Sequence, residues 1–319
     1  MARGTSPALP EPAPDAGQLA AVHAALLAWY ARYGRDLPWR HTRDPYAVLV
    51  SEVMLQQTGV DRVLPVWRAW LAQYPDWQAL ARAPRSDVIR AWRGLGYNRR
   101  AVRLHQIASD VVERQDGRLP ATLEELRALG GVGAYTAAAV ACFAFEQPVA
   151  VVDTNVRRVL GRVFLGQPLV EPADAGRIQT LAKRVLPPTS AYPWNQALMD
   201  LGATVCTQAR PACLVCPLLA TCRAAPLMGG WQAERQRMVR EARQPYGTSQ
   251  RFYRGRVVDT LRQLGPGQRL TLAELGPRVK PDFSVEDGPW LDELVARLVA
   301  DGLVAVAANG SSSFVSLPE

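Results

Sequence analysis

Apolar residues recur at helical spacing along most of this chain. Leu19 to Tyr33 carries that pattern and predicts a first helix, which Leu37-Pro38-Trp39-Arg40 breaks. Tyr46 to Val60 reads as an apolar helix carrying Glu52, Gln56 and Gln57, and two or three short helices fill Val63 to Trp92 between turns at Pro75 and Pro84. Gly94-Leu95-Gly96-Tyr97 is a turn, Arg99 to Glu113 is helical again, and Leu123 to Leu129 leads into Gly130-Gly131-Val132-Gly133. A helix-forming run from Ala134 to Phe145 follows, and then an apolar stretch from Val149 to Val152 that ends at Asp153. Helices are expected again over Asn155 to Phe164, Ala173 to Val185 and Trp194 to Val205. Strand signals are almost absent in this body, which therefore reads as all-α.

The pattern changes toward the C-terminus. Residues 229–250 are charged and rich in arginine and read as a linker. Phe252 to Leu264, Ala273 to Val279 and Pro289 to Asp301 are three helices, with a short strand at Leu270 to Leu272. Leu303 to Val306 and Phe314 to Leu317 form two strands around a turn at Asn309-Gly310. Three helices and a terminal hairpin are the order of a small winged-helix-like α+β domain over 251–319, a module that binds either DNA or protein.

Composition narrows the setting. The 319 residues are 48% apolar and carry a net charge of +8. That balance suits a folded protein with a polyanionic partner, although a generic basic surface has the same charge. Lys183 and Lys280 are the only lysines, so the positive charge is nearly all arginine. No apolar run is long enough to span a membrane. Residues 1–18 are rich in Pro and Ala without the apolar core of a signal peptide, which predicts a disordered leader and a cytoplasmic protein.

Two groups of residues carry chemistry. Gly131-Val132-Gly133 makes a tight hairpin at the start of a helix, where unpaired backbone N–H groups favour a phosphate. Asp153 follows the same helix, so a carboxylate is expected close to that phosphate. The second group is Cys206, Cys213, Cys216 and Cys222, crowded into a C-x6-C-x2-C-x5-C array in a chain with five cysteines. Four thiolates hold either zinc or an iron–sulfur cluster, and zinc ribbons usually show two C-x2-C knuckles where this array has one. Cys142, on the apolar helix after the hairpin, reads as a core residue.

The array, placed directly after a helix, resembles the 4Fe-4S loop of the endonuclease III and MutY DNA glycosylases. Leu129 to Thr136 followed by Asp153 resembles the helix-hairpin-helix and Gly/Pro-rich loop with Asp of that superfamily. Ser51-Glu52-Val53-Met54-Leu55-Gln56-Gln57-Thr58, Trp92-Arg93-Gly94-Leu95-Gly96-Tyr97 and Asn195-Gln196-Ala197-Leu198-Met199-Asp200-Leu201-Gly202-Ala203 are similar to its adenine glycosylase branch. With Leu37 to Arg40 these motifs span roughly residues 20 to 225, in family order. The resemblance implies a two-lobed, all-α helix-hairpin-helix glycosylase core over 19–228. Its six-helix barrel would cover about 42–150, and an iron–sulfur lobe about 19–41 and 151–228, with the cluster loop at 206–222.

Cleaving an N-glycosidic bond builds positive charge on the sugar and negative charge on the leaving base, so it needs a carboxylate near the sugar and an acid for the base. Asp153 suits the first role. Glu52 suits the second, because its apolar neighbours favour a protonated carboxyl that donates to N7 of adenine; a solvated helix carboxylate is the plainer reading of the residue alone. The resemblance implies the same two roles. At the position of Tyr135, bifunctional members carry a lysine that forms a Schiff base; here a tyrosine stands, which implies a monofunctional enzyme with water as nucleophile.

Gln57 matches the residue that wedges into the base stack, Tyr97 the one that intercalates beside the opposite base, and Trp39, Arg40 and Gln196 positions that line the base pocket. Trp39 and Tyr97 also suit ordinary core packing. Asn155 is expected to orient Asp153 or the loop, or to cap the next helix. A monomer acting on double-stranded DNA with a mispair, adenine opposite 8-oxoguanine or guanine, is the expectation. Thymine or uracil opposite guanine, and a non-catalytic DNA-binding module, are the alternatives. The chain departs from the family in lacking its usual Nudix-like C-terminal domain, in Thr154 where many members have glycine, and in Asn98 where a second aromatic is expected.

Overall fold

The computed structural model describes residues 14–230, 247, 249–265, 267–309 and 312–319. Most of the expected leader and linker, and Gly310 of the expected hairpin turn, lie outside the described residues. The helices are α1 (Ala16–Tyr33), α2 (Pro45–Leu55), α3 (Val60–Gln73), α4 (Trp77–Arg82), α5 (Arg85–Ala91), α6 (Arg99–Arg114), α7 (Leu123–Ala128), α8 (Ala134–Phe143), α9 (Thr154–Leu165), α10 (Ala175–Arg184) and α11 (Ala191–Thr204). After the cysteine loop come α12 (Gln250–Arg262), β1 (Leu270–Thr271), α13 (Leu272–Val279), α14 (Gly288–Ala300), β2 (Ala305–Asn309) and β3 (Ser312–Ser316). Among the described residues, no helix is long and apolar enough to cross a membrane.

Two compact units form. One takes the chain up to Leu37 and again from Glu146 through the cysteine loop; the other takes Pro38–Phe145 and the C-terminal segment. In the second unit, α2 and α8 are the central pair. Every side chain from Tyr46 to Met54 is buried, and so is every one from Thr136 to Phe143. A helix that is apolar all round can only be a core helix, and these two pack against each other. Asp44 starts α2 by accepting from the Tyr46 and Ala47 backbone N–H groups, with Pro45 at the first helical position. The tryptophans form the surrounding wall. Trp70 Nε1 donates to the Tyr46 hydroxyl at 3.1 Å, that hydroxyl donates to the Tyr74 carbonyl at 2.7 Å, and Trp70 meets Trp92 edge-on at 5.5 Å.

The apolar run read as one helix from Tyr46 to Val60 is broken after Leu55. Gln57 takes a left-handed φ of 59°, and a new helix starts at Val60 with Pro65 inside it. Pro193 likewise does not delay α11, which begins at Ala191 because a proline in the first turn has no helical N–H to lose. In the first unit, α1, α9, α10 and α11 bury Leu26, Leu160, Phe164, Trp194 and Leu201 in one core that reaches Leu218 in the cysteine loop.

The C-terminal segment is three helices and a three-stranded antiparallel sheet, strand order β1-β3-β2, with Leu270 opposite Val315 and Val306 opposite Val315 across the other edge. Its core of Val257, Leu261, Leu275, Leu294, Leu298 and Val315 also takes in Ile89 of α5, so this domain is packed onto the barrel helices and not tethered beside them.

Arg100 ties the turns of this unit together. The side chain is buried, and its Nη1 donates to the Val53 and Met54 carbonyls at 2.9 and 2.8 Å. These are last-turn carbonyls of α2, which have no helical partner, and a cation there also opposes the helix dipole. Its Nη2 donates to Thr58 Oγ1 at 2.8 Å and to the Leu95 and Gly96 carbonyls at 3.2 and 3.1 Å. Burial pulls the guanidinium down to about 10, which leaves it charged at neutral pH. Arg100→Ala strands several buried acceptors at roughly 1–3 kcal/mol apiece and is expected to cost about 3 kcal/mol or more in urea unfolding; a loss below about 1 kcal/mol would contradict this bracing role.

Candidate active site

Glu52 lies at the middle of α2 and is 6% exposed. A carboxyl in such a place needs a donor, and the Tyr135 hydroxyl supplies one, donating to Glu52 Oε2 at 2.7 Å. Tyr135 sits in the first turn of α8, half-buried, so the helix that follows the hairpin is also the one that holds the acid. Next to this pair, Gln56 Nε2 donates to Thr136 Oγ1 at 3.2 Å, a second polar link between the ends of α2 and α8.

The hairpin is built as its glycines require. Gly131 has φ of 92°, and a Cβ there would lie 2.5 Å from Arg103 Cγ, so both the backbone angle and the space exclude a side chain. Val132 is buried and anchors the turn from below, its N–H donating to the Leu129 carbonyl at 3.1 Å. Gly133 precedes α8 as its N-cap without a side-chain acceptor, and nothing approaches the position of a Cβ there. The first N–H groups of α8 thus have no side-chain cap of the kind that starts α2.

Asp153 starts α9. Its Oδ1 accepts from the Val156 N–H at 2.6 Å and its Oδ2 from Asn155 Nδ2 at 2.9 Å. The capping role therefore falls to Asp153, and Asn155 orients it. Asn155 Oδ1 in turn accepts from Arg158 Nη2 at 2.8 Å, and Arg158 donates onward to the Gly202 carbonyl at 2.7 Å and, through Nε, to the Cys206 carbonyl at 2.8 Å. From the other side, Asn195 fixes the stretch that leads to Asp153. Its Oδ1 accepts from the Val151 N–H at 3.0 Å and its Nδ2 donates to the Val149 carbonyl at 3.0 Å. Arg158 and Asn195 were not singled out from the sequence as site residues. Asn195 opens one of the family-like motifs, but the partners that reveal what both residues do, Gly202, Cys206 and Val151, lie more than forty residues away.

The other expected residues have mixed surroundings. Gln57 and Tyr97 are exposed, and both hold left-handed backbone angles, 59° and 45°. Such angles are strained for side-chain-bearing residues and here push both side chains outward on loop tips. Trp39 is buried and packs edge-on against Trp67 at 5.7 Å, as a core tryptophan would, and Arg40 beside it is half-buried. Gln196 is buried on α11. Cys142 is a core residue.

Cys206, Cys213, Cys216 and Cys222 line one small apolar cavity of about 20 Å³, together with Val163, Leu201 and Met228. Burial pushes the Cys216 thiol up to about 11, and the neighbouring thiols add to the shift. The buried Arg162 donates from Nη1 to Cys206 Sγ at 3.3 Å and to the Thr207 carbonyl at 2.9 Å. Among the described residues, no three of Cys, His, Asp or Glu are set to grip one metal ion.

Residues 50–188 match the family model described as HhH-GPD superfamily base excision DNA repair protein. Over 288 residues the chain is 41% identical to an adenine DNA glycosylase of Mycolicibacterium smegmatis, covering 89% of this chain and 93% of that one. The chain belongs to the helix-hairpin-helix superfamily of base excision DNA repair proteins, in its adenine DNA glycosylase branch. It is also 44% identical over 220 residues to the adenine DNA glycosylase of Mus musculus, covering 66% of this chain and 43% of that one. A solved structure of a thermostable thymine-DNA glycosylase superposes with a TM-score of 0.63 at 30% identity, covering 66% of this chain and 98% of that one. The mycobacterial match is too long to end with the glycosylase core, so it runs well into the C-terminal domain. The all-α core expected from the sequence is the fold of this family, and the small C-terminal sheet is present as expected.

Gly202 shows how closely the two sides of the Asp153 network approach. A Cβ at this position would lie 2.6 Å from the Asn155 Cβ. Gly202→Ala must therefore displace Asn155 or α11, at a cost of about 1–3 kcal/mol. Thermal unfolding measures it, and an unchanged midpoint would contradict so tight an approach.

Proposed function

We propose that this chain is a monofunctional adenine DNA glycosylase of base excision repair, hydrolysing the N-glycosidic bond of adenine mispaired with 8-oxoguanine or guanine. The observation that carries the reading is the pairing of Glu52 with the Tyr135 hydroxyl inside the apolar α2–α8 core, in a chain 41% identical over 288 residues to an adenine DNA glycosylase. Glu52 gives its proton to N7 of the flipped adenine as the C1′–N9 bond breaks, so the base leaves neutral. Asp153, held by Val156 and Asn155, stabilises the oxocarbenium-like sugar electrostatically or by a transient bond. Water adds to C1′ and returns a proton to Glu52.

Schiff-base chemistry has no support here: Tyr135 occupies the lysine position, Lys183 lies on α10, and Lys280 is paired with Asp287 at 2.6 Å. The hairpin N–H groups and Gly131 to Gly133 take a DNA phosphate. Gln57 and Tyr97, raised on their loop tips, act on the base stack. Trp39, Arg40 and Gln196 are assigned to the base pocket. The chain works as a monomer on double-stranded DNA, in the cytoplasm at the nucleoid.

The four cysteines suit a 4Fe-4S cluster: four sulfur donors around one apolar cavity, a single C-x2-C knuckle, and a buried arginine beside them to offset negative charge. Cys206, Cys213, Cys216 and Cys222 would hold it, and its contribution would be to fold the loop that Arg158 ties to Asn155. Protein purified without oxygen is expected to contain iron and acid-labile sulfide in equal amounts; one equivalent of zinc without iron would contradict the assignment.

Single-turnover assays on duplexes carrying A:8-oxoG, A:G, T:G and U:G pairs test the activity. Adenine release from the first two is expected, and release of thymine without adenine would overturn the reading in favour of a thymine-DNA glycosylase, the name its structural relative carries. Asp153→Asn is expected to lower release by about 10³-fold or more while duplex affinity is retained; undiminished release would remove Asp153 from its role.

A further inference from the structure

A cleft of about 610 Å³ opens between α12 of the C-terminal domain and the Gly94–Asn98 turn with the start of α6. Its lining carries seven arginines against one carboxylate, Asp259. The C-terminal domain contributes mainly through one face of α12, where Arg251, Arg254, Gly255, Val258, Asp259 and Arg262 recur at helical spacing and all border the cleft, with Leu298 and Leu303 beside them. The residues have divided tasks. Arg262 is nearly buried, donating from Nε to the Ile89 carbonyl at 2.9 Å and from Nη2 to Asn98 Oδ1 at 3.0 Å, while its Nη1 meets Asp259 at 2.7 Å. It fastens the domain to the barrel. Arg254 and Arg99 share Asp301. Arg251 is exposed and lies over the Tyr97 ring, 4.1 Å from its centroid.

The cleft also leads to the hairpin. Arg103 lines it, and the stem of the same side chain lies against Gly131. Gln57 and the strained Tyr97 line it as well. One positively lined surface is therefore shared by the hairpin's neighbour Arg103, the two raised loop tips and the C-terminal domain.

A helix-turn-helix pair ordinarily enters the major groove with its second helix, which here is α14. The exposed residues of α14 are poorly suited to that. They include Asp292 and Glu293, and the arginine among them, Arg297, is paired with Glu293. Charge favours α12, which carries Arg251, Arg254 and Arg262 on the cleft.

We propose that the C-terminal domain grips the DNA backbone with α12, its first helix, and that the arginine cleft takes a phosphodiester segment of the strand beside Tyr97, with Arg251 leaving the Tyr97 ring for a phosphate. The proposal rests on the DNA glycosylase reading above and gives the C-terminal domain a strand-holding task within it. A phosphate contact by an arginine carries no sequence preference and appears as salt dependence.

The test uses the full-length protein and a duplex with one A:8-oxoG pair, with affinity measured by fluorescence anisotropy across a salt series. Arg251→Ala is expected to weaken binding about tenfold at low salt and to lower the slope of log K against log salt by about 1. Arg251→Glu is expected to weaken it further, and Arg297→Ala to change neither quantity. As Arg251 is exposed, thermal midpoints of both Arg251 variants should match the parent, which separates lost contact from lost fold. Wild-type affinity and slope in both Arg251 variants would overturn the proposal, pointing to a protein partner for the cleft. A larger loss in Arg297→Ala would overturn it in favour of α14. Base release scored in the same samples keeps the two readings apart: no release from any duplex with an Arg251-dependent slope rejects the glycosylase reading alone, whereas normal release with an unchanged slope rejects the cleft alone.

Discussion

A carboxyl group at the centre of an apolar helix must have a hydrogen-bond donor or the helix cannot stay buried there. The Tyr135 hydroxyl meets that need for Glu52, and much of the second unit follows from it. Tyr135 reaches Glu52 because α8 packs against α2, and α8 lies there because both helices are apolar on every face. The first turn of α8 is thereby fixed, and with it Gly133 and the hairpin. One hydrogen bond thus links an acid to a backbone turn some eighty residues away, so that neither can shift without the other.

The first unit solves a different problem by similar means. Asp153 is a helix cap as well as a candidate reacting group, and capping alone would fix one oxygen. Asn155 fixes the other, Arg158 fixes Asn155, and the Gly202 and Cys206 carbonyls fix Arg158. Asn195 holds the incoming strand of chain. Each member is constrained by the next, so the carboxylate orientation depends on the cysteine loop having its folded shape. The loop in turn is sealed by Leu218 in the same core as Trp194 and Leu201.

The sequence made the two carboxylates, the hairpin and the cysteine array legible because each is a local pattern: an acid in an apolar run, glycines before a helix, sulfurs at short spacing. It also made the helices of the body legible, with errors where a backbone angle and not hydrophobicity decides. The end of α2 is such a case, since the left-handed angle at Gln57 has no compositional mark of the kind a glycine would give. What stayed hidden were the long-range partners. Arg100 looks like one more arginine in a chain full of them until its seven acceptors, drawn from α2 and two turns, are seen together. Gly202 looks like an ordinary motif glycine until the Asn155 side chain is found against it. Periodicity reports which face is buried, and says nothing of what stands opposite.

The arginines show why net charge alone could not locate a binding surface. In the second unit they fall into two physical classes. Arg100 and Arg262 are buried, their guanidinium groups pulled below the usual arginine value by desolvation, and they spend their donors on backbone carbonyls, on Thr58 and Asn98, and on Asp259. They are structural cations, invisible to a polyanion. Arg62, Arg103 and Arg251 stand exposed on the same cleft and keep the hydration and reach that a phosphate contact requires. The buried class sets where the exposed class points: Arg262 fastens α12 to the turn that carries Tyr97 and Asn98, and Arg100 fastens that turn to α2. A basic surface arranged in this way is braced from within by charges of the same sign, which is tolerable because carbonyl dipoles surround Arg100, and the Asp259 carboxylate, the Ile89 carbonyl and Asn98 Oδ1 meet Arg262.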